Sequence, residues 1–171
     1  MRVRGRVWRG VRISPTPPRA GDCHTPWEAG RLRPPHARTR PMTIHIEVSC
    51  GELLDKLTIL EIKSRRMEDP GKRANVEREK TLLAAVWDAL PGVAGNESLL
   101  ALRRALMETN EKLWVIEDDI RDKERAGVFD EAFIALARSV YRTNDQRAAL
   151  KKQVDQLLGS RLTEEKSYQP Y

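Results

Sequence analysis

The sequence predicts an all-α fold: an antiparallel helical bundle of about four helices, paired as two helical hairpins, behind a disordered N-terminal leader. Three observations predict it. Charge and proline content change abruptly at Met42. Beyond that point helix starts (Ser49, Asp69-Pro70, Asn96, Asp130) alternate with helix stops (Pro91-Gly92, Gly127, Gly159). Between starts and stops the apolar residues recur at helical spacing.

Residues 1–41 hold ten arginines, no lysine, only Asp22 and Glu28 as acids, and seven of the ten prolines, a net charge of +8. The remainder carries 21 basic and 23 acidic side chains, so the formal +6 of the whole chain conceals a mildly acidic domain. Four readings of the leader follow. It is a basic arm for RNA or membrane phosphates, or an import presequence, which its prolines oppose. It is not a secretory signal, because no apolar run follows the charges. The fourth reading, which the arginine, proline, glycine and alanine bias favours, is that translation starts at Met42 and the leader is upstream read-through. A segment so rich in proline and poor in apolar residues is expected to be disordered.

The domain expected over residues 42–160 opens on Thr43–Val48, an alternating extended segment with no obvious partner strand. Ser49 then begins the first helix with a capping box: its hydroxyl faces the Glu52 N–H and the Glu52 carboxylate reaches back, with Val48 and Leu53 at the positions of a hydrophobic staple. This helix is expected from Cys50 to Met67. Asp69-Pro70 starts a second, with Val76, Leu83, Val86, Trp87 and Leu90 on its apolar face and Pro91-Gly92 at its end. Asn96 caps a third over Glu97–Ala126, and Asp130 a fourth that runs to Leu158. Short links make the neighbours antiparallel. The segment 161–171 is polar; it reads as a disordered end or as an arm that docks through Tyr168.

Polar residues interrupt the apolar stripes of the long helices. Asn110, Glu117 and Glu124 fall within the stripe of the third helix, and Asn144, Arg147 and Lys151 within that of the fourth. Folding the hairpin brings Asn110 near Asn144 and Arg147, while Glu61 lies beside the seam of the first helix. A polar layer is therefore expected across the bundle, with Glu61, Asn110, Glu117, Asn144, Arg147 and Lys151 as its members. One reading has these groups satisfy each other and fix register. The other has them line an inter-helix pocket in which Arg147 and Lys151 hold a small anion.

Other chemistries find little support. Asp119 and Asp122 share a helical face, as do Glu52 and Asp55, and are weak candidates for hydrated magnesium. The double-glutamate element of the all-helical nucleoside triphosphate pyrophosphohydrolases is missing, so no metal site is assigned. No cofactor is implied either, since the domain has one histidine, His45, and no glycine-rich phosphate loop. Cys50 reads as a small packed residue. Two cysteines, no export signal and no span of about 20 apolar residues point to the cytoplasm and away from a membrane.

Three strings, Gly51–Lys63, Leu113–Glu124 and Phe133–Ala149, together with the ending Glu164-Glu-Lys-Ser-Tyr168, resemble a bacterial family known as domain of unknown function 6165. The likeness spans about residues 43–168. The family has no assigned activity, so the resemblance implies membership and carries no catalytic residue; the site candidates rest on helical geometry alone. Three function classes follow: an interaction or ligand-binding bundle that forms a homodimer through its long helical hairpin; an enzyme acting on a small anionic metabolite or nucleotide, by analogy with all-helical chorismate mutases; and nucleic-acid binding through the leader. The last ranks lowest because the domain itself is acidic.

Overall fold

A computed structural model describes residues 43–167 and Gln169; the leader and Tyr168 lie outside the described residues. The fold is an all-α bundle of four helices: α1 (Cys50–Arg66), α2 (Pro70–Asp88), α3 (Glu97–Ala126) and α4 (Glu131–Leu158). The four expected caps act through their side chains. Ser49, Asp69, Asn96 and Asp130 accept from the N–H groups of Glu52, Lys72, Leu99 and Phe133, each satisfying a donor that an α-helix leaves open at its first turn. Gly127 (φ 64°) and Gly159 (φ 63°) end the long helices in the left-handed conformation that glycine adopts without steric cost. Beyond each, the next N–H returns to a carbonyl of the last turn, Val128 to Lys123 at 3.0 Å and Ser160 to Asp155 at 2.8 Å.

α1 is the central element: it packs against α2, α3 and α4, and α3 packs along α4, whereas the backbone of α2 approaches that of α1 alone. The apolar core lies at the end of the molecule where α2 closes, built from Leu53, Leu54, Leu57, Trp87, Leu99, Leu106 and Val154. Because the backbone of α2 runs along one helix only, its buried face is narrow. Val76 and Trp87 are buried, but Val86, expected on the same face, is 53 % exposed. Thr43–Val48 pairs with no strand among the described residues, and Ile44, Ile46 and Val48 stay exposed. The staple expected from Val48 is thus left half in water.

The hairpin of α3 and α4 is much longer than α1. Thirty residues of α3 rise about 45 Å and the seventeen of α1 about 25 Å. The buried residues of α3 stop at Ile116 and those of α4 begin at Thr143. Between them, Glu117–Arg142 forms an overhang without a single fully buried residue. A T-shaped contact between Phe129 and Phe133, with centroids 5.2 Å apart, closes its tip.

Where α1 crosses α4 the backbones nearly touch. A Cβ added to Gly51 would lie 2.4 Å from the Lys151 carbonyl oxygen, a backbone atom that cannot swing aside. Gly51→Ala should therefore force the helices apart and destabilise the fold by about 1–3 kcal/mol, the usual range for overpacking. Chemical denaturation measures it; an unchanged midpoint would show that the crossing accommodates a methyl group without cost.

Candidate functional site

The crossing of α1 and α4 carries a polar seam, and its hub is Asp55. This aspartate is 2 % exposed, and a buried carboxylate is costly unless it is paired and hydrogen-bonded. Arg147 meets it with two parallel bonds, Nε to Oδ1 at 2.9 Å and Nη2 to Oδ2 at 2.5 Å. Asn110 of α3 adds a third, Nδ2 to Oδ1 at 2.8 Å, and sends its other N–H to Thr58 Oγ1 at 2.9 Å. The Thr58 hydroxyl in turn donates to the Asp55 carbonyl at 2.8 Å. No buried side-chain polar atom among the described residues lacks a partner. The carboxylate beside it holds the Arg147 guanidinium above its already high ordinary value, against the opposing effect of burial.

One turn towards the N-terminus of α1 a second cluster closes the same seam. Lys151 is 7 % exposed and its ammonium bridges Glu52 and Glu164. The expected capping box is therefore only half made, because the Glu52 carboxylate turns across the bundle to Lys151. Burial pulls the Lys151 ammonium down, yet its bonds to Glu164 and Glu52 leave it raised on balance. The same bond to Lys151 lowers Glu164. The first N–H groups of α1 are capped from α4 and the residue after its glycine stop: Asp155 accepts from Gly51 at 2.6 Å and the Ser160 hydroxyl from Cys50 at 3.3 Å. Cys50 itself packs against the apolar core. The start of the polar tail is thus docked, through Glu164 and also through a Glu165–Lys152 pair at 3.1 Å.

The structure divides the six residues expected in one polar layer. Asn110, Glu117, Asn144 and Arg147 converge on one cleft of about 570 Å³ between α1, α3 and α4, shared with Lys63, Asp118 and Arg121 and walled by Ile59, Ile62, Leu113 and Trp114. Glu61 faces the other side of α1, where it pairs with Arg103 of α3. Lys151 belongs to the N-terminal cluster and does not line that cleft. Asn144 accepts weakly from Arg147 Nη1 at 3.4 Å, and Glu117 pairs with Arg121 one turn along its own helix at 2.9 Å. Glu124, expected beside them, is exposed on the overhang. Arg66 places its guanidinium 5.8 Å from the centre of the Trp114 ring, at the end of α1. Helical spacing alone did not identify Asp55 as the hub, nor Lys63 or Trp114 as cleft residues. The signal present in the sequence was the spacing of Asp55 one turn from Gly51, which places the two on one face of α1.

Asp119 and Asp122 are exposed on the overhang, outside that cleft and beside Lys123, and Asp122 pairs with Arg125. Among the described residues no three or more His, Cys, Asp or Glu side chains are grouped to hold a metal ion. No described helix is long and apolar enough to cross a membrane. No protein-family model, curated protein or solved structure matches the chain.

The seam makes two predictions. Removing Asp55 leaves Arg147 half-buried and unpaired, so Asp55→Ala should cost about 3–5 kcal/mol. Arg147→Met should cost a similar amount by stranding the carboxylate, and the double variant less than the sum of the two, because the partners are coupled. Additive losses in urea denaturation would show that the pair is not coupled. The second concerns acid. Glu164 titrates below its ordinary 4.5 in the docked state, so docking contributes fully above that value and is lost as pH falls through the lowered one. Amide exchange at residues 160–167 should accelerate at the acid end, and Glu164→Gln should bring that fast exchange to neutral pH. An exchange profile in the variant that matches the parent would disprove the role of the carboxylate.

Proposed function

We propose that the chain is a helical-bundle interaction protein that pairs with a second copy of itself through the overhang of the α3–α4 hairpin. The reading rests on one feature: twenty-six consecutive residues of two packed helices and their link, Glu117–Arg142, contain no fully buried side chain. A two-helix hairpin buries only one stripe of each helix, and helical proteins ordinarily bury the rest against further helices. Here the overhang leaves Val128, Phe129, Ile134 and Tyr141 substantially in water. Isolated exposed apolar residues are ordinary; several on one projecting element mark a contact surface.

A second copy is the partner that the charges favour. Over Glu117–Ala126 five acids outnumber three basic residues, and over Glu131–Arg142 two arginines outnumber one acid. Two hairpins packed about a twofold axis set α3 of one against α4 of the other, so a net acidic stretch faces a net basic one twice. The product is a four-helix bundle built from two overhangs. The resemblance to domain of unknown function 6165 and the low cysteine content fit a cytoplasmic bacterial protein of this kind, and both belong to the same proposal.

Light scattering on the full chain at tens of micromolar should give the mass of a dimer. Ile134→Glu combined with Phe129→Glu places charges in the contact and should return the monomer with helicity unchanged, since both side chains are exposed. High salt should also weaken the dimer by screening the charged rows. A monomer at every concentration, or a dimer indifferent to the double variant, rules the pairing out.

A further inference from the structure

We propose that the cleft between the C-terminal half of α1 and the α3–α4 hairpin is a binding site for a free α-amino acid with an apolar side chain. This goes beyond self-association and stands independently of it. The cleft measures about 570 Å³, within the roughly 300–1,000 Å³ typical of small-molecule sites. Its charges cancel. Arg147 is neutralised by Asp55 and Arg121 by Glu117. Lys63 on α1 and Asp118 on α3 remain, one of each sign, and neither makes an ion pair among the described residues. They face one cleft without closing on each other. Arg66 lies over the Trp114 ring but does not line the cleft. A ligand with a single charge would meet one of the two with like sign, whereas a zwitterion complements both.

Chain direction places both charges at one end of the cleft. α1 runs antiparallel to α4, since Gly51 meets Asp155 and Asp55 meets Arg147. α3 runs antiparallel to α4 through their short link, so α1 and α3 run the same way. Lys63 stands one turn beyond Ile59 on α1, and Asp118 one turn beyond Trp114 on α3, each pair sharing a helical face. Both steps lead towards the overhang. The inner end of the cleft is therefore apolar, with Ile59, Leu113 and the indole, and the outer end carries the two unpaired charges. Asn144 lies on that outer side of Arg147; its amide oxygen takes the 3.4 Å contact from Nη1, which leaves its NH2 to donate. An α-amino acid has the same polarity, with ammonium and carboxylate on one carbon and a hydrocarbon or aromatic body beyond it. The ammonium is set against Asp118, the carboxylate against Lys63 and the Asn144 amide, and the side chain against the indole wall. A zwitterion with its charges at opposite ends does not match a cleft that is charged at one end.

The test titrates the full chain with L-leucine, L-phenylalanine and L-tryptophan, followed by amide chemical shifts. Four controls each remove one feature: glycine the apolar body, N-acetylphenylalanine the ammonium, phenylalaninamide the carboxylate, and 6-aminohexanoate the closeness of the two charges. At least one of the three amino acids should saturate, with shifts centred on Ile59–Lys63, Leu113–Asp118 and Asn144. Every control should bind at least about tenfold more weakly. Lys63→Met and Asp118→Asn should each weaken the same amino acid by about tenfold at an unchanged melting temperature, because neither side chain makes an ion pair in the fold. The losses should also be selective: Lys63→Met should not weaken phenylalaninamide, nor Asp118→Asn weaken N-acetylphenylalanine. No saturable shift with any of the three amino acids at millimolar concentration overturns the proposal. So does a control that binds as tightly as the amino acid, or an unaltered affinity in either variant.

Discussion

The bidentate bond between Arg147 and the buried Asp55 constrains most of what surrounds it. A carboxylate at 2 % exposure on α1 fixes the rotation of α1, because a turn of the helix away from α4 would strand it in an apolar setting. It fixes the register of α4 as well. Each turn along α1, from Gly51 to Asp55, is matched by one turn back along α4, from Lys151 to Arg147, as antiparallel helices require. A slip of one turn would place Asp55 against Lys151 or Asn144 and leave a guanidinium unpaired. Asn110 extends the constraint to α3, so three helices are set by the groups on one side chain. Such a pair adds little to net stability when compared with apolar residues of the same volume; its effect is to make other arrangements costly.

The close approach at Gly51 and the charged seam depend on each other. With no Cβ in the way, the α1 and α4 backbones meet near Lys151, and this proximity lets Asp155 reach the Gly51 N–H and Lys151 reach Glu52. The apolar core then lies to the other side, where α2 folds over α1 and Trp87 joins Leu54, Leu106 and Val154. Cohesion is consequently uneven along the molecule. The core and the seam hold the half that contains α1 and α2, while the overhang has only the α3–α4 stripe. Local opening free energies should fall in that order, and contact surfaces and movable elements are drawn from the weaker end.

The helix boundaries were legible because they depend on local chemistry. A capping oxygen, a proline at the first helical position or a glycine at the left-handed stop acts over three or four residues, which is why the limits of α3 agree to the residue and the others within two. The presence of polar groups inside the stripes of α3 and α4 was legible for the same reason. Their partners were not. Helical spacing gives the angle of Asp55 around α1 but not its height against α4, and without that height it looks like one more carboxylate spaced from Glu52. Glu61 shows the converse: close to the seam by angle, it faces Arg103 because α3 lies on that edge of α1. Glu164 was harder still, since its bond to Lys151 depends on the path of the chain after Gly159.

The pairing also changes what the polar residues are able to do. Read from sequence, Arg147 and Lys151 are the groups that would hold an anion. In the fold each already holds one from the protein itself: Asp55 on Arg147, Glu52 and Glu164 on Lys151. A ligand that displaced Asp55 would have to repay the burial of a stranded carboxylate, a cost of several kcal/mol, before gaining anything from the guanidinium. The seam is thus a poor anion trap in spite of its cations. The charged groups the fold leaves uncommitted at the cleft are Lys63 and Asp118, one of each sign. Asp55, Arg147 and Asn110 thus build the floor that holds three helices in place, which is the structural reading of the polar layer.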